Sequence, residues 1–227
     1  LFNNKQNIMK KIFLIAASLI MYAGIRAQDA FTDQMQPAVK KLNNAVTVGD
    51  YQQLSNTFLQ IASIQKTQWL PYYYAAFCNA KIGWLKQEDD PDNIETFARK
   101  ALEEIATAES LLDTSTQKKE LSEVYCVLSM ANRAMVFVNP MTYGNKYGPE
   151  AAKYIVLAEQ ADSANPRALY LDGWQKYYTP KLWGGDKRKA KELLERSLQQ
   201  LASEHPQPLY PHWGKKECEE ILSQYRK

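Results

Sequence analysis

Residues able to do chemistry are few in this 227-residue chain, and their spacing speaks against catalysis. The two histidines, His205 and His212, lie in or beside a proline-rich stretch, and neither has a Cys, Asp or Glu at metal-ligand spacing. Cys78, Cys126 and Cys218 are odd in number and far apart, so they read as small buried hydrophobes and not as a disulfide framework. An oxidising compartment would permit a Cys78–Cys126 pair. The run Glu88-Asp89-Asp90-Pro91-Asp92 holds enough carboxylates for calcium but lacks the alternating spacing, the glycine and the distal glutamate. Asp90 as N-cap, Pro91 at the first helical position and Asp92 beside the dipole account for it. Gly184-Gly185-Asp186 precedes a helix as an anion site would, but an aspartate there repels phosphate and caps well. Within Glu103-Glu104 and Glu219-Glu220 the side chains point about 100° apart, so these pairs read as solvated faces. No Gly-x-Ser-x-Gly, P-loop or Gly-x-Gly-x-x-Gly is present. The expectation is a non-enzymatic protein with no cofactor and no metal.

The elements are helices throughout. Apolar residues recur at helical spacing, and no segment alternates with period two. The spacing predicts helices over 31–46, 51–65 after a break at Gly49-Asp50, 69–86 with Pro71 in its opening turn, and 92–113. A Thr114-x-x-Gln117 capping box then opens a helix to about Val138, which Asn139-Pro140 stops. Further helices are expected over 149–163, from Asn165-Pro166 to about Tyr178, from Asp186 to about Ser203, and over about 212–224. One face repeats: Ala101, Ile105 and Ala108 are answered by Ala151, Ile155 and Ala158, and by Ala190, Leu194 and Ser197. Small residues at that phase let a neighbouring helix approach, and recurrence at ~40–50 residues marks stacked helix pairs. The turns repeat with them, Asn139–Gly144 matching Thr179–Gly184.

Residues 1–27 read as upstream residues followed by a secretory signal peptide. Met9-Lys10-Lys11 is a basic start, Ile12 to Ile25 is apolar apart from Ser18 and Gly24, and Ala27-Gln28 offers a cleavage site. The apolar run of 14 residues is shorter than the ~20 that span a bilayer. The formal charge of +3 owes much to this leader, which holds Lys5, Lys10, Lys11 and Arg26 and no acid; beyond it, 24 basic residues face 25 acidic ones. Such a balance carries no electrostatic footprint for nucleic acid. The protein is expected in the periplasm or secreted, with residues 28–227 as a single helical domain and no transmembrane segment.

From Ala158 to Ser197 the chain resembles tetratricopeptide-repeat (TPR) proteins. Ala158-Glu159-Gln160-Ala161-Asp162-Ser163-Ala164-Asn165-Pro166 looks like the end of one repeat and the start of the next. Leu169 and Gly173 match the first helix, and Ala190, Leu194 and Ser197 match the second. The likeness extends over 66–203 and is weaker over 30–65, with extra residues in the turns and without the family's first-helix Trp. It is closest in style to the small secreted TPR proteins of Gram-negative bacteria. The fold class it implies is all-α, an α-solenoid of about four antiparallel pairs plus a C-terminal capping helix. It also implies a concave groove for a peptide or partner protein. Carried over residue by residue, the groove-facing places are Arg167, Tyr170, Trp174, Tyr177 and Tyr178 in the last pair. They are Leu70, Tyr73, Phe77, Ala80 and Lys81 in the first, and Tyr125, Leu128, Asn132, Met135 and Val136 in the middle. Aromatics suit recognition, yet the same spacing also describes inter-repeat core. Two function classes follow: an envelope adaptor binding a peptide or protein in its groove, or an assembly subunit held by permanent helix packing.

Overall fold

A computed structural model describes residues 30–87, 93–204 and 207–226. The leader, the acidic stretch 88–92 and His205 lie outside the described residues. The described residues contain helices and no strand. Residues 30–42 form α1. Then follow α2 (Val48–Ile64), α3 (Trp69–Leu85), α4 (Ile94–Ser110), α5 (Lys118–Val138), α6 (Pro140–Ala161), α7 (Pro166–Tyr178), α8 (Lys187–Ser203) and α9 (Lys215–Ser223). A 3-10 turn at Lys181–Trp183 precedes α8, and another at Gln224–Arg226 follows α9.

The helix starts follow capping chemistry, though in places not by the residues expected. Gly49-Asp50 does not break the chain. The Thr47 hydroxyl accepts from the Asp50 N–H at 3.1 Å while Asp50 accepts from the Thr47 N–H at 2.9 Å, a capping box that puts both residues at the start of α2. The expected box at Thr114 does not form. Asp113 instead gathers Ser115 and Thr116, and the Gln117 side chain accepts from the Asp113 N–H at 2.8 Å, so α5 starts at Lys118. Asn165 and Asp186 cap α7 and α8 as read from the sequence, with Pro166 at the opening of α7.

The largest departure is at 139–149. Asn139-Pro140 does stop α5, but Asn139 also accepts from the N–H groups of Met141 and Thr142, and Pro140 opens α6 at once. Pro149 lies inside that helix. Pro140–Gly144 is therefore helix, capped by Asn139, whereas the supposed counterpart contains a 3-10 turn ending at Gly184 with φ 90°. The turn repeat does not exist in the structure.

The face repeat does. Ala101, Ile105, Ala108, Ala151, Ile155, Ala158, Ala190, Leu194 and Ser197 are all buried. Close approach uses them: a side chain on Gly173 would meet Leu194 Cγ at 2.9 Å and Ala190 O at 3.3 Å. The Ser122, Ser129 and Ser197 hydroxyls donate to the carbonyls of Ala158, Ala151 and Pro166 on the helix opposite, at 2.7–2.9 Å. Consecutive helices pack on each other, most extensively α5 on α6 and α3 on α4, while α3 also meets α5 and α5 meets α7. One buried apolar cluster runs from Phe31 to Ile221. Its centre is α3, buried on nearly every side. By length and composition α5 could cross a membrane, but most of its apolar stretch is inside the fold.

Candidate functional site

The predicted groove residues on α3 and α7 face the chain's own segment 207–226. Tyr73 is fully buried; its hydroxyl donates to Glu123 Oε2 at 3.2 Å and accepts from Trp213 Nε1 at 2.9 Å. Phe77 lies 4.9 Å from the Trp213 ring and Tyr170 6.1 Å from it, edge on. Tyr74 donates to the Leu209 carbonyl at 2.8 Å, and Lys81 pairs with Glu217 at 2.9 Å. Tyr73, Phe77 and Tyr170 are thus already covered. Leu70 and Ala80 are buried too, as are Leu128 and Met135, with Tyr125 and Val136 half-buried. Asn132 is turned into its own helix, donating to the Leu128 carbonyl at 2.8 Å.

Arg167 is not a free cation at a groove rim. It is buried between Glu123, which accepts from Nε at 3.0 Å and Nη2 at 2.6 Å, and Glu204, whose two oxygens accept from Nη1 at 2.7 Å. Asn165 Nδ2 adds a bond to Glu123 at 2.8 Å. Burial works against the guanidinium charge, but the two carboxylates outweigh it and hold Arg167 cationic. The sequence placed Arg167 at a helix start but held no sign of Glu123 and Glu204, which are 44 and 37 residues away.

What stays open is the aromatic end of the stripe. Trp174 and Tyr177 are half-buried and Tyr178 is exposed. They border a cleft of about 600 Å³ between α3, α7 and α9, with Trp84 packed against Trp174 in the same lining and Lys81 and Glu217 at its edge. The Trp174 ring lies 4.7 Å from Trp84 and 4.9 Å from Tyr178, centroid to centroid. The Arg133 guanidinium lies 5.6 Å from the Trp174 ring and donates to Gln175 Oε1 at 2.8 Å, bracing the indole. Trp84 is anchored by Nε1 donating to the Met130 carbonyl at 2.9 Å. Beyond the Lys81–Glu217 pair a second cleft of about 510 Å³ runs past Leu42, Tyr51, Trp213 and His212. Burial alone would raise the Glu217 carboxyl, but Lys81 draws it below its ordinary value, and this ion pair lines both clefts.

Trp84 and Arg133 were not singled out from the sequence. Trp84 follows Phe77 and Lys81 on the same face of α3, so its spacing carried a signal; Arg133 carried none. Tyr210, read as part of a connection, and Trp213, read as the start of the last helix although α9 begins only at Lys215, are the anchors of the segment that covers α3. Glu104 also departs from expectation. It is not a solvated face: it is largely buried, both oxygens accept from Asn79 Nδ2 at 3.0 and 2.8 Å, and burial raises its carboxyl to about 7. Glu219 and Glu220 are solvated, each near a lysine four residues earlier. All three cysteines are free and buried, so Cys78 and Cys126 do not pair. Among the described residues no group of His, Cys, Asp and Glu is placed to hold a metal ion.

No protein-family model matches this chain, and no curated protein does. Among solved structures, it is similar to the HusA haemophore from Porphyromonas gingivalis, with a TM-score of 0.73 and 31% sequence identity, covering 86% of this chain and 92% of that one. At that identity and coverage the chain belongs to the family of the HusA haemophore.

Proposed function

We propose that this protein is an exported, non-enzymatic carrier that binds haem as cargo in the cleft lined by Trp84, Trp174, Tyr177 and Tyr178. The observation that carries the reading is that cleft, seen in a relative of a haemophore. Its volume of about 600 Å³ lies in the usual range for small-molecule sites, and its walls are ring faces. A haem macrocycle is flat and apolar with two carboxylates at one edge. Ring faces take the macrocycle by stacking, and Lys81, at the cleft edge and paired with Glu217, would have to extend that pairing to a haem carboxylate. Of the usual haem-iron ligands only tyrosine lines this cleft, so recognition is expected to rest first on the macrocycle and its carboxylates and only then on the iron. Export by a signal peptide ending near Ala27 fits a carrier that works outside the cell, and residues 28–227 would be its single domain.

Titration with haem and with iron-free protoporphyrin, followed by absorbance and tryptophan quenching, tests this. Both are expected to bind. Trp174→Ala is expected to weaken both by roughly tenfold, about 1.4 kcal/mol, a modest hot-spot effect, with the melting temperature measured alongside. Binding of haem alone would move recognition to the iron; binding of neither, or an unchanged affinity in a folded Trp174→Ala protein, would overturn the reading.

The helix-pair resemblance supports a second reading, a TPR-like solenoid that takes a peptide. The observation favouring it is internal: Leu209, Tyr210 and Trp213 lie on α3 and α7 where a TPR array would hold its partner. In this reading the groove of a peptide-binding scaffold is occupied in cis, and the adaptor role falls to the cleft past Leu42, Tyr51 and His212.

A further inference from the structure

The turn between α7 and α8 presents large apolar side chains that the fold leaves uncovered. Leu182 is 88% exposed and Trp183 75%. This tip is pinned. The Trp183 and Gly185 N–H groups donate to the Pro180 carbonyl at 2.9 and 3.1 Å, Gly184 N–H donates to Lys181 O at 3.1 Å, and Asp186 N–H to Lys176 O at 3.0 Å. Gly184 takes a positive φ of 90°, and a side chain on Gly185 would stand 1.7 Å from the Thr179 carbonyl. Backbone bonds and two glycines therefore hold Leu182 and Trp183 out in water, at a hydrophobic cost that nothing in the fold recovers.

The charge around the tip is equally one-sided. From 176 to 191 the chain carries Lys176, Lys181, Lys187, Arg188, Lys189 and Lys191 against Asp186 alone, and Asp186 is engaged in capping α8. Glu192 and Glu195 lie one turn further on and offset Arg188, Lys189 and Lys191 only at exposed distances of 3.5–3.8 Å. This cationic patch stands out in a chain that is nearly neutral beyond its leader.

We propose that the Lys181–Trp183 turn is a membrane-contacting tip, which inserts Leu182 and Trp183 among the headgroups of an anionic lipid surface while Lys181, Lys187 and Arg188 meet its phosphates. Trp beside Lys and Arg is the composition of membrane interfaces, and juxtaposed cations are attracted to anionic leaflets. A tip of two apolar side chains is far smaller than the ~800 Å² that each side of a stable protein interface buries, so a bilayer, which needs no matching groove, fits it better than a protein. The inference is independent of haem.

The test is co-sedimentation of the unliganded protein with vesicles of phosphatidylglycerol and phosphatidylcholine, against vesicles of phosphatidylcholine alone. The protein is expected to pellet with the anionic vesicles, to be released by high salt, and to shift its tryptophan emission to shorter wavelength. Leu182→Ser with Trp183→Ala is expected to lower the bound fraction by about tenfold and to abolish the emission shift, while melting as the parent does. Lys181→Glu with Lys187→Glu should also lower binding. A parent protein that stays in solution with both vesicle types would overturn the proposal and leave the tip to a protein partner, as would a double variant that pellets as well as the parent.

Discussion

Glu104 is held against its own charge. Asn79 gives its carboxylate hydrogen bonds, but burial between α2, α3 and α4 dominates and lifts the carboxyl to about 7. Because the folded protein holds this proton more tightly than an unfolded chain would, the stabilisation is fully present below the ordinary value of 4.5 and is lost as pH rises through about 7. Glu104→Gln is therefore expected to melt higher than the parent at pH 8 and to flatten the pH dependence between pH 5 and 8. Thermal melts of both proteins at the two pH values would show it; parallel profiles would mean the carboxyl titrates as in water. Arg167 makes the opposite arrangement, deeper in the fold: two carboxylates surround one cation, Asn165 adds a bond to the Glu123 oxygen that Arg167 holds, and Tyr73 takes the other.

At the scale of elements, the small residues set how close the helices come. Ala190 is fully buried and its carbonyl is within 3.3 Å of where a side chain on Gly173 would stand. Ala190→Leu is expected to destabilise by ~1–3 kcal/mol through overpacking of α7 on α8, read as a lower urea midpoint with an unchanged slope. Helix faces of this kind were legible because a period near 3.6 residues is written locally. Caps were legible where one residue decides, as at Asn165 and Asp186. They were misread where candidates compete within four residues, as at Asp113 and Gln117, or where one Asn-Pro both ends a helix and starts the next, as at Asn139. Glu104 was misread because its adjacent position to Glu103 says which way it points and not what packs over it.

At the scale of the molecule, the aromatic stripe was visible in the sequence, but its division into core and open cleft was not. Tyr170 is covered and Tyr178 is exposed, two turns apart on one helix, because segment 207–226 crosses α7 near Tyr170. Trp213 holds that segment, so Trp213→Ala is expected to cost about 3 kcal/mol and to loosen α9 before the rest. Hydrogen exchange should accelerate at 215–223 while α4 and α5 stay protected; uniform acceleration would make Trp213 part of one cooperative unit. The same crossing has a consequence in time. Tyr74 and Leu209 are 135 residues apart, and Tyr73 and Trp213 are 140 apart. A ribosome adding ~5–20 residues per second needs roughly 7–28 seconds to travel from one to the other. For that interval the most aromatic helix of the chain exists without its cover. The nascent protein is therefore at its stickiest midway through synthesis, when α2, α4 and α5 can pack on α3 but the face that 207–226 will cover is still open.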